Sequence, residues 1–332
     1  MKGKSCQKRT SIGGQALIEG IMMRGPHRTV MACRLPDGTV SVEDVEVNSV
    51  TKKYKFLRLP ILRGAVNLVE SMILGYRTMM LSAERSGMLD EEEKSEAPAE
   101  PAETETPRPE TKKNEGWLLT TLGLIATVLG VALALLLFMY LPSKLFDLLN
   151  GWTDGSLFPY KALFEGVLKL VIFLIYMIAV SQMKEIKRVF RYHGAEHKSI
   201  FCYEKGLELT VENVRKQSRF HPRCGTSFLI LMLLVSILFY AVILQIPAVK
   251  AIAGITWFWA LIKLILLPLI CGFGYELIKF CGRHDNVLTR VISAPGMWVQ
   301  RISTKEPDDS MIEVAIAALQ AVIPENEEDD RW

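Results

Sequence analysis

A chain of 332 residues that is 50% hydrophobic, with a mean hydropathy of +0.22, is more apolar than a soluble enzyme of that length normally is. Its net charge of +3 is too small to argue for a nucleic-acid surface. The apolar excess stands in discrete blocks, which points to a membrane bundle with attached polar segments rather than to two soluble domains.

In chain order, Met1–Thr10 is polar and basic. It lacks the apolar core of a signal peptide, so the first spanning helix is expected to act as an internal signal. Residues 1–53 read as a cytoplasmic, β-rich segment. Short strands are expected over Gly13–Val47, with a hairpin where the turn Pro36-Asp37-Gly38 precedes the alternating run Thr39–Val42. The glycine-spaced run Ser11–Pro26 allows tight turns or close backbone approach, but no Gly-Lys-Ser/Thr follows it, so it is not a phosphate loop.

Residues 54–87 carry an amphipathic or interfacial helix. From Leu62 through Val69, Met72, Ile73 and Tyr76 to Met80, apolar residues recur at helical spacing, with Arg63, Asn67, Glu70 and Arg77 opposite. This helix lies in the interface or packs on the bundle; a fifth span is the alternative. Residues 88–116 form an acidic linker with ten acidic residues and four prolines, too polar to offset its ordering entropy, so disorder is expected.

Residues 117–280 form the transmembrane bundle. Spans are expected at Trp117–Leu141, Leu163–Met183, Phe228–Ile246 and Ile252–Phe280, each long enough for a hydrocarbon core of roughly 30 Å. The segment 184–224 holds ten Lys and Arg residues, against Lys144 and Lys161 in one opposing loop and Lys250 in the other. That bias places 184–224 and both termini on the inside. The fold class is therefore mainly α: a polytopic membrane bundle of about four spanning helices, with a small β-containing N-terminal segment and an amphipathic helix. The site of residence is the bacterial inner membrane. Residues 281–332 form a cytoplasmic tail, loose over Glu325–Trp332.

Inside spans, Glu165 is expected to pair with Lys263 as interhelical glue, and Glu276 to reach water or Arg283. The six cysteines lie at the cytoplasmic side, where free thiols or metal ligands are expected rather than disulfides.

Three of the five histidines fall within 29 residues. In His193-Gly194-Ala195-Glu196-His197, the two imidazoles share one face of a helix and can reach one metal ion, while Glu196 stands beside them as a general base for a water. The order H-x-x-E-H occurs in one class of metallopeptidases. A polar helix end with solvated histidines is the competing reading, and Gly194 is a poor helix former. His221 and Cys224, three apart in His221-Pro222-Arg223-Cys224, add a second ligand pair. If all four bind, the site is closed and structural; if three bind, a water position remains. His284-Asp285 is a weaker candidate pair, better read as a helix-ending turn.

Gly13–Arg24, Tyr192–Lys198 and His221–Phe228 together resemble the YqhQ-like membrane proteins, domain-of-unknown-function family 1385. The resemblance covers nearly the whole chain apart from the acidic linker. It implies an integral membrane protein and a metal-dependent enzyme, without naming a reaction. Two functions follow: a zinc-dependent hydrolase or peptidase with His193, His197 and either His221 or Cys224 at the metal and Glu196 activating water; or a non-catalytic factor docking a ribosome, a translocon or anionic lipid through its basic segment. A small transporter is the weakest reading.

Overall fold

The structure is a computed structural model that describes residues 9–47, 49–50, 54–88, 125, 127–284 and 286–330. Cys6, the body of the acidic linker, the start of the first expected span and Asp285 lie outside the described residues. The chain divides into two compact units: one of Met1–Glu92, Leu174–Val235 and Leu267–Trp332, the other of Glu93–Phe173 and Ser236–Leu266.

The first unit is built on an antiparallel sheet in the order β1-β2-β3-β4: β1 Gly13–Leu17, β2 Gly20–Arg24, β3 Thr29–Arg34 and β4 Val40–Asp44. Between β3 and β4 stands the expected Pro36-Asp37-Gly38 turn. Asp37 accepts the Thr39 N–H at 2.8 Å, and Gly38 takes a φ of 85°.

Strand alternation divides the sheet between two cores. Ile21, Met23, Val30 and Ala32 point to one face, where helix α4 (Lys184–Glu204) and helix α8 (Asp309–Val322) cover them with Tyr192, Ala195, Met311, Ala315 and Leu319. Met22, Met31 and Cys33 point to the other, against Leu74 of helix α1 (Leu62–Arg85). The 184–224 segment is therefore a core helix and its flanks rather than a surface loop. The C-terminal tail is likewise structural. Glu327–Asp330 forms a short 3-10 turn, and buried Asp330 accepts hydrogen bonds from Thr10 Oγ1 at 2.5 Å and Tyr203 Oη at 2.8 Å. The looseness expected up to residue 330 is thus corrected: the acidic cluster is anchored by a buried carboxylate acceptor.

Helix α1 forms where its periodicity places it, but the face turned to the fold is the small one, with Gly64, Gly75, Thr78, Ser82 and Ala83 buried. Val69, Met72, Ile73, Tyr76 and Met80 stay exposed. Arg63 pairs with Glu276 at 2.5 Å, so the carboxylate expected to reach water or Arg283 is held instead by an arginine distant in sequence.

Among the described residues, four helices are long and apolar enough to cross a membrane: α2 Thr127–Trp152, α3 (Lys161–Val180, preceded by the turn from Phe158), α5 Gly225–Ile243 and α6 Thr256–Arg283. Helix α2 runs beyond the expected end at Leu141, through a π-helical turn at Leu136–Tyr140. Helix α3 stops at a turn over Ser181–Met183 instead of continuing into α4. Within the second unit, Lys263 pairs with Glu165 at 2.6 Å as the sequence predicts, both side chains buried. Trp259 Nε1 and Ser143 Oγ complete their hydrogen bonds. Helix α7 (Val287–Ser303) starts from an Asn286 cap and leads to α8.

Candidate metal centre

The site grows from the middle of α4, which is buried from Gly194 through Ile200. Gly194, the residue that argued against a helix, is what lets this helix sit where it does. A Cβ there would drive into the Lys305 carbonyl oxygen, so the chain between α7 and α8 crosses α4 at backbone contact. That crossing brings the α7 C-terminus to the histidines.

His193 and His197 project from one face, four residues apart, with ring centroids 4.4 Å apart. The Nδ1 of His193 lies 2.8 Å from the Ser303 carbonyl oxygen and that of His197 lies 2.6 Å from the Arg219 carbonyl oxygen. A carbonyl only accepts, so each Nδ1 carries a proton, and in the neutral ring each Nε2 is the atom left to bind a metal; this is how metal-binding imidazoles are oriented. Cys224 Sγ closes the group at 3.1 Å from His193 Nε2. One donor atom from each of His193, His197 and Cys224 falls within 4.8 Å of the others.

Charge and geometry agree. Burial alone would raise the Cys224 thiol pKa, but the two imidazoles hold it well below the ordinary range. Burial alone would lower His193; the Cys224 charge and hydrogen bond, with Glu196 and the Ser303 carbonyl, hold it up at about 9. Two imidazoles and a thiolate are a donor set suited to zinc.

Glu196 is buried on the same turn. Burial pushes its carboxyl pKa up, against the imidazoles and the Gly14 N–H that stabilise its charge. Its Oε2 has no hydrogen-bond partner among the described residues. Gly14 lies so close that a Cβ would stand 3.0 Å from the Glu196 carboxyl carbon and 2.8 Å from the Met22 carbonyl oxygen. The glycine run of β1 is thus part of the site.

His221, the fourth expected ligand, stands beside the trio rather than in it. Its ring centroid is 5.5 Å from that of His197, and its Nε2 faces Glu204 at 3.7 Å. Its backbone is clamped by Gln300, whose Oε1 accepts the His221 N–H at 2.7 Å and whose Nε2 donates to the His221 carbonyl at 2.6 Å. Burial lowers the His221 pKa to about 4, leaving the ring neutral. His284 packs on Phe280, and His27 pairs with Asp329; neither is brought to the trio.

Residues 59–325 match the family described as "Protein of unknown function (DUF1385)". The chain belongs to the DUF1385 family. The "Uncharacterized protein YqhQ" of Bacillus subtilis (strain 168) is 32% identical over 312 residues, 94% of this chain and 92% of the relative. No solved structure matches the chain. The His193–Cys224 constellation lies within the span shared with other DUF1385 proteins. Sequence reasoning named its side chains but missed Gly14 as a neighbour of Glu196 and the Ser303 and Arg219 carbonyls.

Proposed function

We propose that this DUF1385 protein is a membrane-bound, metal-dependent hydrolase. His193, His197 and Cys224 hold one zinc ion, and Glu196 takes the proton of the attacking water. One observation carries this reading: three donor atoms converge on one point, both imidazoles are fixed by carbonyls behind them, and a buried carboxylate with a partnerless oxygen lies on the next turn position. Zinc bound there would supply Lewis acidity and lower the pKa of a water. The chain's own part is to fix the donor atoms, exclude bulk water and receive a proton at Glu196. With His221 turned to Glu204, three protein ligands leave room for that water.

The hydrolase resides in a bacterial inner membrane with both termini and the site on the cytoplasmic side, as the basic residues of α4 and its flanks favour. The exposed apolar face of α1 rests on lipid, and the surrounding Lys and Arg residues suit anionic headgroups.

The test is metal analysis of the full chain purified in detergent. Wild type should carry about one zinc per chain, as one such site allows. His193→Ala should lose it, while Glu196→Gln should keep it and lose hydrolysis by about 100-fold or more, the usual size of a general-base effect. Wild type that binds no zinc under added metal ends this reading.

A further inference from the structure

The substrate class can be read from the free edge of the sheet. Strand β1 ends the order β1-β2-β3-β4, so among the described residues one side of it has no neighbouring strand. The hydrogen-bond phase tells which of its residues face that side. Across β2 and β3, the Glu19 carbonyl accepts from Arg34 N and the Gly25 N–H donates to the Arg28 carbonyl, each at 2.8 Å. The odd-numbered residues of β2 therefore turn their backbone groups toward β3, and the even ones toward β1. By the register, Gly20, Met22 and Arg24 face Leu17, Gln15 and Gly13. Gly14 and Ala16 are left with N–H and C=O pointing to the free edge. The Gly14 N–H finds Glu196, which agrees with this phase.

That edge forms one wall of a cavity of about 670 Å³, which also contains His193, Glu196, His197 and Cys224. Apolar side chains line much of the rest, among them Leu68 and Met72 from α1 and Phe228 and Leu229 from the first turns of α5, with Ser71, Arg223 and Thr226 as its further polar lining. Strand edges with unpaired groups bind extended peptides by strand addition, and pockets beside them select side chains.

Resting on the hydrolase reading above, we infer that the substrate is an extended polypeptide segment with apolar side chains, which adds to β1 through the Gly14 carbonyl and the Ala16 N–H and C=O and so lays one of its amides beside Glu196. The chemistry balances with water alone. The water oxygen bonds to the amide carbon and the C–N bond breaks. One water proton passes to Glu196 and on to the leaving nitrogen and the second follows from the new carboxyl group, giving a carboxylate and an ammonium group. Glycine at 14 suits the role, because a Cβ there would stand 3.0 Å from the Glu196 carboxyl carbon.

The experiment uses the full-length Glu196→Gln variant in detergent, zinc-loaded and inactive. The probe is an unfolded polypeptide, reduced and carboxymethylated α-lactalbumin. Amide hydrogen exchange is followed over Gly14–Leu17. The Ala16 amide should exchange readily in the free protein and at least tenfold more slowly with saturating polypeptide. Phosphatidylglycerol vesicles should not slow it. An Ala16 amide already protected in the free protein overturns the inference, as does one that the polypeptide leaves unchanged or that vesicles protect instead; zinc content then shows that the metal reading survives. Protein that binds no zinc brings down both. In the active background, Ala16→Pro removes the outward donor without touching the β1–β2 ladder. It should retain zinc and thermal stability and raise KM for the polypeptide at least tenfold; an unchanged KM in a folded, zinc-replete variant counts against strand addition.

Discussion

At position 194 the ordinary helix preference and the tertiary requirement conflict. Glycine costs a helix interior up to about 1 kcal/mol relative to alanine. Here the missing Cβ is what allows the Lys305 carbonyl to lie on α4, and through it Ser303 to hold His193. Gly194→Ala should therefore destabilise the fold by about 1–3 kcal/mol, the usual range for overpacking, instead of stabilising it. Thermal unfolding in detergent checks the sign, and zinc affinity should fall with it because the α7 C-terminus is displaced. A more stable variant would mean that the crossing is not fixed. The same residue marks the limit of what the sequence shows. Two histidines four apart with a glutamate between them are legible, because helical spacing alone places them on one face. Cys224 was legible as a candidate from its residue type and its distance from His221. Which of the two joins the imidazoles was not, since that depends on Gln300 turning His221 from 79 residues away. The carbonyls of Ser303 and Arg219 carry no sequence signal, because every residue has one.

Among the elements, α8 and α1 show the two ways in which apolar patterning can mislead. Residues 281–332 read as a tail in sequence, yet α8 contributes Met311, Ile312, Val314, Ala315, Ala318 and Leu319 to the larger core, all fully buried. Its apolar run is short and follows a charged stretch, which resembles a surface helix until the sheet it covers is known. Leu319→Ala should cost about 2–5 kcal/mol, as truncation of a fully buried leucine does. Measured by denaturant or thermal unfolding, a cost under about 1 kcal/mol would show that α8 does not pack on the sheet. Helix α1 is the opposite case. Its large apolar residues were legible as a stripe, but the stripe faces outward and the glycines, Thr78 and Ser82 face the fold. Small residues allow close backbone packing that a hydrophobic periodicity does not reveal. The strands, by contrast, were readable from alternation and turn chemistry, because both are local.

Over the whole chain, the number of crossings decides which segments can meet. The first unit joins three stretches: the N-terminal sheet with α1, then α4 and its flanks, then α7 with α8. Two of the apolar helices separate the first stretch from the second, α2 and α3; two more, α5 and α6, separate the second from the third. An even number of crossings returns the chain to the same face each time, so all three stretches can share the core in which Ile21, Tyr192 and Leu319 are buried together. Were α1 a fifth span, the sheet would lie on the face opposite α4 and α8, and that core could not form. With four crossings, parity therefore argues against α1 as a fifth span, a choice that its hydropathy left open. It does not give the sign of the face, for which the proposed cytoplasmic assignment rests on charge. Lys144, Lys161 and Lys250 stand in the segments opposite α4 against ten Lys and Arg residues in 184–224, an excess that favours the inner face for α4. Exposed Ser156 and Lys216 report the two faces. With a membrane-impermeant maleimide on intact spheroplasts, Ser156→Cys should label above the wild-type background, and Lys216→Cys only after permeabilisation. The reverse pattern would place the metal centre outside the cell and take the cytoplasmic assignment with it, while both positions labelling from one side would contradict the four-span count itself.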